Sequence, residues 1–162
     1  MPVHRLNDRQ LSALRASMFG FVLQEFHLVP DRSALDNVSA ALRYSQVARR
    51  KWRQTAEGLL ERVGLSDRMH ALPTQRSGGE QQRVCIARAM ANDAAVILAD
   101  EPTGNLDTAT RDLLVMQLEA FWRLGRTLVI VTHGSDMASR SEQSLYMTDG
   151  RLDASCLKSS RS

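Results

Sequence analysis

The sequence predicts an α/β fold, a parallel sheet covered by helices, on three observations. Ala94–Ala99 and Leu128–Val131 are continuously apolar rather than alternating, the pattern of strands buried on both faces of a parallel sheet. Segments of helical period separate the apolar runs, as crossover connections require. Each apolar run ends in polar residues: Gln24 after Phe21-Val22-Leu23, Asp100-Glu101 after Ala99, and His133 after Val131-Thr132. Ligands of parallel sheets gather at the carboxyl ends of strands, so this convergence is the central functional signal.

The elements follow in order. Residues 7–18 are polar, with Leu11, Leu14 and Met18 three to four apart, which suits a short amphipathic helix. Phe19 to Leu23 reads as a buried strand ending at Gln24-Glu25, and Pro30-Asp31 marks a turn. Residues 34–47 are Ala/Leu-rich and helical. Residues 49–64 form another helix with Leu59, Leu60 and Val63 apolar and Gly64 as its stop. Ser66–Leu72 is a short helical stretch cut by Pro73, and Gly78-Gly79 opens a helix that runs to about Asn92. Ala94–Ala99 is a strand, Thr108–Leu124 an amphipathic helix closed by Gly125, and Leu128–Val131 a second buried strand. Ser144–Met147 reads as a strand entering a tight turn at Asp149-Gly150. A Ser-rich tail from Ser155 is expected to fray.

Composition narrows the class. The chain has 162 residues, 43% of them hydrophobic and 24% charged, enough to bury one core. Nine Gly and four Pro exclude a collagen-like or linker chain. The longest apolar run has six residues, too short to span a bilayer, and Met1-Pro2-Val3-His4-Arg5 lacks the apolar stretch of a signal peptide. Cys85 and Cys156 cannot make a disulfide scaffold, and the chain reads as cytosolic. Residues 1–90 hold 14 Lys+Arg against 8 Asp+Glu, a net of +6, while residues 91–162 hold 7 against 10, a net of −3. The excess peaks at Arg49-Arg50-Lys51-Trp52-Arg53, which reads first as a solvated helix face, with a nucleic-acid or anionic-lipid patch as the alternative, and no helix-turn-helix, zinc-ligand or RNP-type pattern accompanies it.

The strand ends suggest chemistry. One carboxylate of Asp100-Glu101 can hold a hard divalent cation, and its neighbour can orient an attacking water or take its proton. Ser77-Gly78-Gly79-Glu80 opens a helix whose first-turn N–H groups and positive dipole end suit an anion, and the same residues make a capping box. His133 can donate to a phosphate oxygen, and Asp107 after Gly104-Asn105-Leu106 reads as a helix N-cap.

In this order the segments resemble the nucleotide-binding subunit of ABC transporters. Gly20-Phe21-Val22-Leu23-Gln24 resembles the Q-loop, and Arg76-Ser77-Gly78-Gly79-Glu80-Gln81-Gln82-Arg83 the signature motif. Val96-Ile97-Leu98-Ala99-Asp100-Glu101 resembles Walker B, Gly104-Asn105-Leu106-Asp107 the D-loop, and Val131-Thr132-His133 the H-loop. The likeness covers residues 3–152, and the run Ala99–Asp107 is similar to the branch serving lipoprotein release, macrolide export and cell division.

The resemblance implies a partial P-loop NTPase sheet with an inserted α-helical signature subdomain. It divides the chain into a partial core to residue 31, a helical subdomain over 32–92, a catalytic half over 93–152 and a tail. It implies ATP and Mg²⁺ as ligands. Asp100 would organise the metal, Glu101 would be the catalytic carboxylate, and His133 would contact the γ-phosphate and help hold Glu101. Gln24 would reach metal and water and sense the membrane partner through 25–31. Ser77, Gly78 and Gly79 would contact ATP held by a second nucleotide-binding subunit, with Asp107 at that head-to-tail interface. The implied partners are this second subunit and an integral membrane permease, with no nucleic acid, and the implied place is the cytoplasmic face of the membrane. A DNA-acting relative would carry long coiled-coil or zinc-bearing insertions between Gln24 and Ser77, and none is present.

The sequence departs from the family pattern in three places. Arg76 stands where the family usually has Leu, and would either disturb the packing under the signature helix or add a phosphate contact. Gly134 stands where Asp often follows the His. No G-x-x-x-x-G-K-[ST] occurs, so the backbone cradle, the Lys for the β/γ-phosphates and the Ser/Thr for Mg²⁺ are missing. The expectation is an N-terminally shortened ATP-binding subunit that alone binds ATP poorly and turns it over far below a family-like rate. The alternative is a non-enzymatic fragment or partner offering only its signature face to an intact subunit. Loss of the strand that feeds the missing loop would also leave an unpaired apolar edge beside 128–131.

Overall fold

The computed structural model describes residues 3–104 and 106–153. It divides into two compact units, Met1–Val131 and Thr132–Ser162. The tail from Ser155 lies outside the described residues.

The first unit opens with helix α1 (Asp8–Met18), started by a capping box in which Asn7 accepts from the Gln10 N–H and the Gln10 side chain accepts from the Asn7 N–H. Strand β1 (Phe19–Val22) follows. Helix α2 (Ala34–Ala41) stops well before residue 47 and tightens into a 3-10 turn at Leu42–Tyr44. The Ser45 hydroxyl donates to Leu42 O and accepts from the Val47 N–H, offering the backbone an alternative to the next helical turn. Helix α3 (Trp52–Arg62) is entered through a 3-10 turn at Arg49–Lys51 and ends before Gly64, which takes φ +69°.

The helix expected over Ser66–Leu72 is only a 3-10 turn, Ser66–Arg68. Pro73 has no N–H to continue the helical ladder onto Met69 O, and the carbonyls of Met69 and Ala71 instead accept from the first N–H groups of α2 at Leu35 and Ala34. Helix α4 (Gly78–Met90), strand β2 (Val96–Asp100), helix α5 (Thr108–Arg123) and strand β3 (Thr127–Val131) complete the unit.

The three strands form a parallel sheet in the order β1-β2-β3. The register aligns Val22 with Ala99, and Asp100 with Val131, so the carboxyl ends fall together. Both crossovers step the same way across the sheet, and right-handed connections then put their helices on one face. That face carries Gly20, Val22, Ile97 and Ala99, and α4 packs on β1 there. Val84, Ile86, Leu114 and Leu118 build the core beneath it, and Leu35, Val38, Leu42 and Leu60 join α2 and α3 to α4.

Burial of the sheet on both sides, expected from the unbroken apolar runs, does not hold. Phe21, Val129 and Val131 on the opposite face are 43%, 45% and 61% exposed. Among the described residues β3 lies at one edge of this sheet. An apolar run reports strand preference, but not whether a second layer lies over it.

The second unit contains helix α6 (Ser135–Ser139) and a hairpin of β4 (Tyr146–Thr148) with β5 (Arg151–Asp153). Asp149 and Gly150 have φ +49° and +73°, the left-handed pair that a two-residue hairpin turn requires. The expected strand at 144–147 thus starts two residues later and gains a partner strand.

Candidate functional site

Four elements of the first unit meet at the carboxyl end of the sheet. Gln24 lies two residues beyond β1 and lines a cleft of about 10 Å³ together with Phe26, Gln82, Glu101, Pro102 and Leu106. That volume is near the room one water needs. Asp100 ends β2 with an exposed side chain. Glu101 follows at φ +42°, a backbone conformation that non-glycine residues rarely adopt, and its N–H is tied to Val131 O at 2.9 Å. The strain fixes where the carboxylate leaves the sheet, and such outliers cluster at working sites.

Gln82, 2% exposed, anchors this corner from α4. Its side-chain N–H donates to Pro102 O at 3.1 Å, while its Oε1 has no hydrogen-bond partner among the described residues. The signature helix is thereby tied to the turn after Glu101. Sequence reading missed Gln82 and Phe26 because it treated one as helix and the other as loop.

The N-terminus of α4 is held in detail. Ser77 Oγ accepts from the Glu80 N–H, and a Glu80 carboxylate oxygen accepts from the Ser77 N–H at 3.1 Å. Arg68 pairs with Glu80 at 3.1 Å and donates to Gln75 O at 2.6 Å. The N–H groups of Gly78 and Gly79 lie in the first turn, where the helix itself supplies no acceptor. Gly78 faces the Phe26 ring: a Cβ there would lie 3.8 Å from Cζ. A Cβ on Gly79 would fall 2.5 Å from Thr110 Cγ2, so only glycine permits this approach of α4 to α5.

Asp107 caps α5, accepting from the Thr110 N–H at 3.0 Å and from the Thr110 hydroxyl at 2.6 Å. The structure thus brings Ser77–Gly79 and Asp107 together through Thr110. The Asp-x-x-Thr spacing was the signal that could have shown Thr110. The Thr110 hydroxyl, then its N–H, hold the Asp107 carboxyl below its ordinary pKa. A folded-state pKa below the unfolded one stabilises above the ordinary value, and the gain is lost as pH falls through the lowered one. Asp107→Asn keeps a capping oxygen without the titration. Its thermal midpoint is expected to lie below that of the parent at neutral pH and to converge on it below about pH 4. Parallel melting curves across the acid range would sink this account.

Arg76 is only 8% exposed and turns inward. Its guanidinium donates to the carbonyls of Ala71 and Arg68, and Nη1 has no partner among the described residues. Burial pushes its pKa down, against the opposing charge of Glu80. Of the two expectations for this residue, a phosphate contact is therefore not what the structure provides. Arg76 instead ties the 68–71 backbone to the start of the signature.

His133 falls in the second unit, two residues beyond β3, where the Gly134 N–H donates to Thr132 Oγ1 at 3.0 Å. The described residues hold no group of three or more His, Cys, Asp or Glu that could hold a metal. No helix among the described residues is long and apolar enough to cross a membrane.

Comparison with known proteins bears on this geometry. The family model described as ABC transporter matches residues 3–104. An uncharacterized ABC transporter ATP-binding protein of Thermotoga maritima is 45% identical over 151 residues, covering 93% of this chain and 64% of that one. The macrolide export ATP-binding/permease protein MacB of Rhodopseudomonas palustris is 46% identical over 145 residues, covering 90% of this chain and 22% of that one. The chain therefore spans less than two thirds of these relatives. A dimeric ATP-binding cassette in a post-hydrolysis state bound to ADP and Pi superposes with a TM-score of 0.84 at 35% identity, covering 94% of this chain and 68% of that one. A dimeric bacterial ABC transporter cassette superposes with a TM-score of 0.83 at 36% identity.

Proposed function

From the premise that the chain belongs to the ABC transporter family, whose ATP-binding cassettes hydrolyse ATP, we propose that it works as an ATP-binding subunit coupling nucleotide-driven dimerisation to a membrane permease. The observation that carries the reading is the α4 N-terminus. Gly78 and Gly79 present first-turn N–H groups, with the exposed Ser77 cap before them and the Asp107 cap of α5 nearby, ready to receive the terminal phosphate of ATP on a second nucleotide-binding subunit. Asp100 would hold Mg²⁺, Glu101 would orient the attacking water, Gln24 lines the cleft with Glu101, and His133 would serve the γ-phosphate. Bound Mg²⁺ neutralises phosphate charge. The complex sits on the inner face of the membrane, with 25–31 toward the permease.

These 162 residues contain no cradle for the α- and β-phosphates. A second reading follows from that fact: by itself the chain binds ATP weakly and lends its signature face to an intact partner. Both parts are testable together. The chain alone is expected to show no tight, Mg²⁺-dependent binding in a fluorescent ATP titration. Mixed with an intact cassette whose own signature Ser is replaced by Arg, it is expected to restore ATPase activity by about a hundredfold, since removing one site donor typically costs that much or more. Ser77→Arg in this chain is expected to abolish the restoration. Restoration that survives Ser77→Arg removes the signature face from the account.

A further inference from the structure

Three polar residues of α4, Gln82, Cys85 and Arg88, recur every third position and all address main chain. Gln82 takes Pro102 O, and the Cys85 thiol donates to Phe26 O at 3.1 Å. Arg88 spreads its guanidinium over two carbonyls, Phe26 O at 2.8 Å and His27 O at 2.7 Å. His27 has φ +46°, which turns consecutive carbonyls toward one guanidinium. Two parallel bonds from a planar cation fix direction as well as distance. The ring of Phe26 meanwhile rests against Gly78 and lines the cleft shared by Gln24 and Glu101. Glu25 and His27 on either side of it are exposed.

We infer that Arg88 is a positioning residue, a latch that holds the Phe26-His27 main chain to α4 so that the segment after Gln24 and the start of the signature helix move as one body. Pressure on the exposed Glu25, His27 and Val29 then reaches Gly78 through Phe26 without a hinge between them. The use of the latch rests on the reading above, in which 25–31 meets a permease. The latch itself is a property of this chain.

Cys85 reports on it directly. Its thiol is buried under the latched segment, and burial pushes its pKa up to about 11, with the Arg88 charge pulling the other way. Removing Arg88 therefore has opposite consequences under two accounts. If Arg88 acts only through its charge, its loss raises the thiol pKa further and slows alkylation. If it is the latch, its loss frees the segment and alkylation speeds up. In a Cys156→Ser background at pH 8, Arg88→Ala is expected to raise the iodoacetamide rate at Cys85 by about tenfold, with little dependence on low urea, as a local opening requires. Arg88→Lys keeps the cation but loses the paired geometry and is expected to give a smaller rise. A rate that is unchanged or slower overturns the latch, as does a rise that follows urea with the slope of global unfolding. Should Arg88→Ala not fold, Arg88→Lys decides by the same criteria. No nucleotide or partner enters the assay, so a failed latch is distinct from a failed signature face, which Ser77→Arg decides.

Discussion

Gly20→Ala is expected to destabilise the first unit by about 3 kcal/mol or more, at or beyond the upper end of overpacking costs. A Cβ at Gly20 would lie 2.3 Å from the carbonyl oxygen of Ala89 and 3.2 Å from its Cβ. The obstacle is helix backbone, not the end of a flexible side chain. Neither side can yield cheaply. Asn92 donates to Ala16 O and Phe19 O at one end of the contact, and Arg88 grips Phe26 and His27 at the other. Denaturant unfolding checks the value, and Ala89→Gly supplies the control: it removes the Cβ contact but not the carbonyl, so the double variant should recover little. Full recovery would mean that the clash with the carbonyl had been overstated.

Asn37→Ala ranks second, with an expected loss of about 2 kcal/mol from unpaired backbone groups. Asn37 is 3% exposed, and its side chain serves four backbone groups. It accepts from the Val29 N–H at 2.8 Å and donates to the carbonyls of Val29, Arg32 and Ser33 at 3.0–3.2 Å. One amide thereby shapes the turn from residue 29 to the start of α2. Asn37→Asp retains the acceptor, loses the donors and buries a charge, so it should do no better than Ala. A midpoint shift in urea at constant m is the expected signature, and a loss below about 0.5 kcal/mol, the size of an ordinary surface change, would contradict it.

Much of the carboxyl edge was legible in the sequence. Capping chemistry is local, so Ser77-x-x-Glu80 and the Asp107 cap were readable three residues at a time. The apolar runs that end in Gln24 and Asp100 placed those residues correctly, because strand period and parallel pairing are strong constraints. The exposed faces of Phe21, Val129 and Val131 were not legible, since hydrophobicity states what a strand prefers and not what covers it. The shortened 66–68 turn was invisible because its carbonyls are claimed by α2, more than 30 residues earlier. Arg76 showed only that a charge was present. Its inward turn depends on carbonyls of Arg68 and Ala71 that nothing in the motif announces. Gln82, Cys85 and Arg88 looked like ordinary helix positions, and only their common spacing hinted at a shared duty. His133 sits in the second unit, so its partnership with Glu101 belongs to the proposal.

The strand register also sets a timetable. Phe19 pairs with Val96, 77 positions later, whereas Val96 pairs with Thr127, only 31 positions on. On a ribosome adding residues in order, β1 emerges long before β2, the strand it pairs with among the described residues. The helices α2, α3 and α4 arise in that interval, and α4 seats Ala89 on Gly20 of β1. The β1-β2 pairing is the more non-local of the two and is expected to be the slower to form. Until then Phe19 and Phe21 are open to chaperones and to neighbouring nascent chains. The position 20 glycine thus governs how long the chain is vulnerable at birth, as well as how firmly it stands once folded.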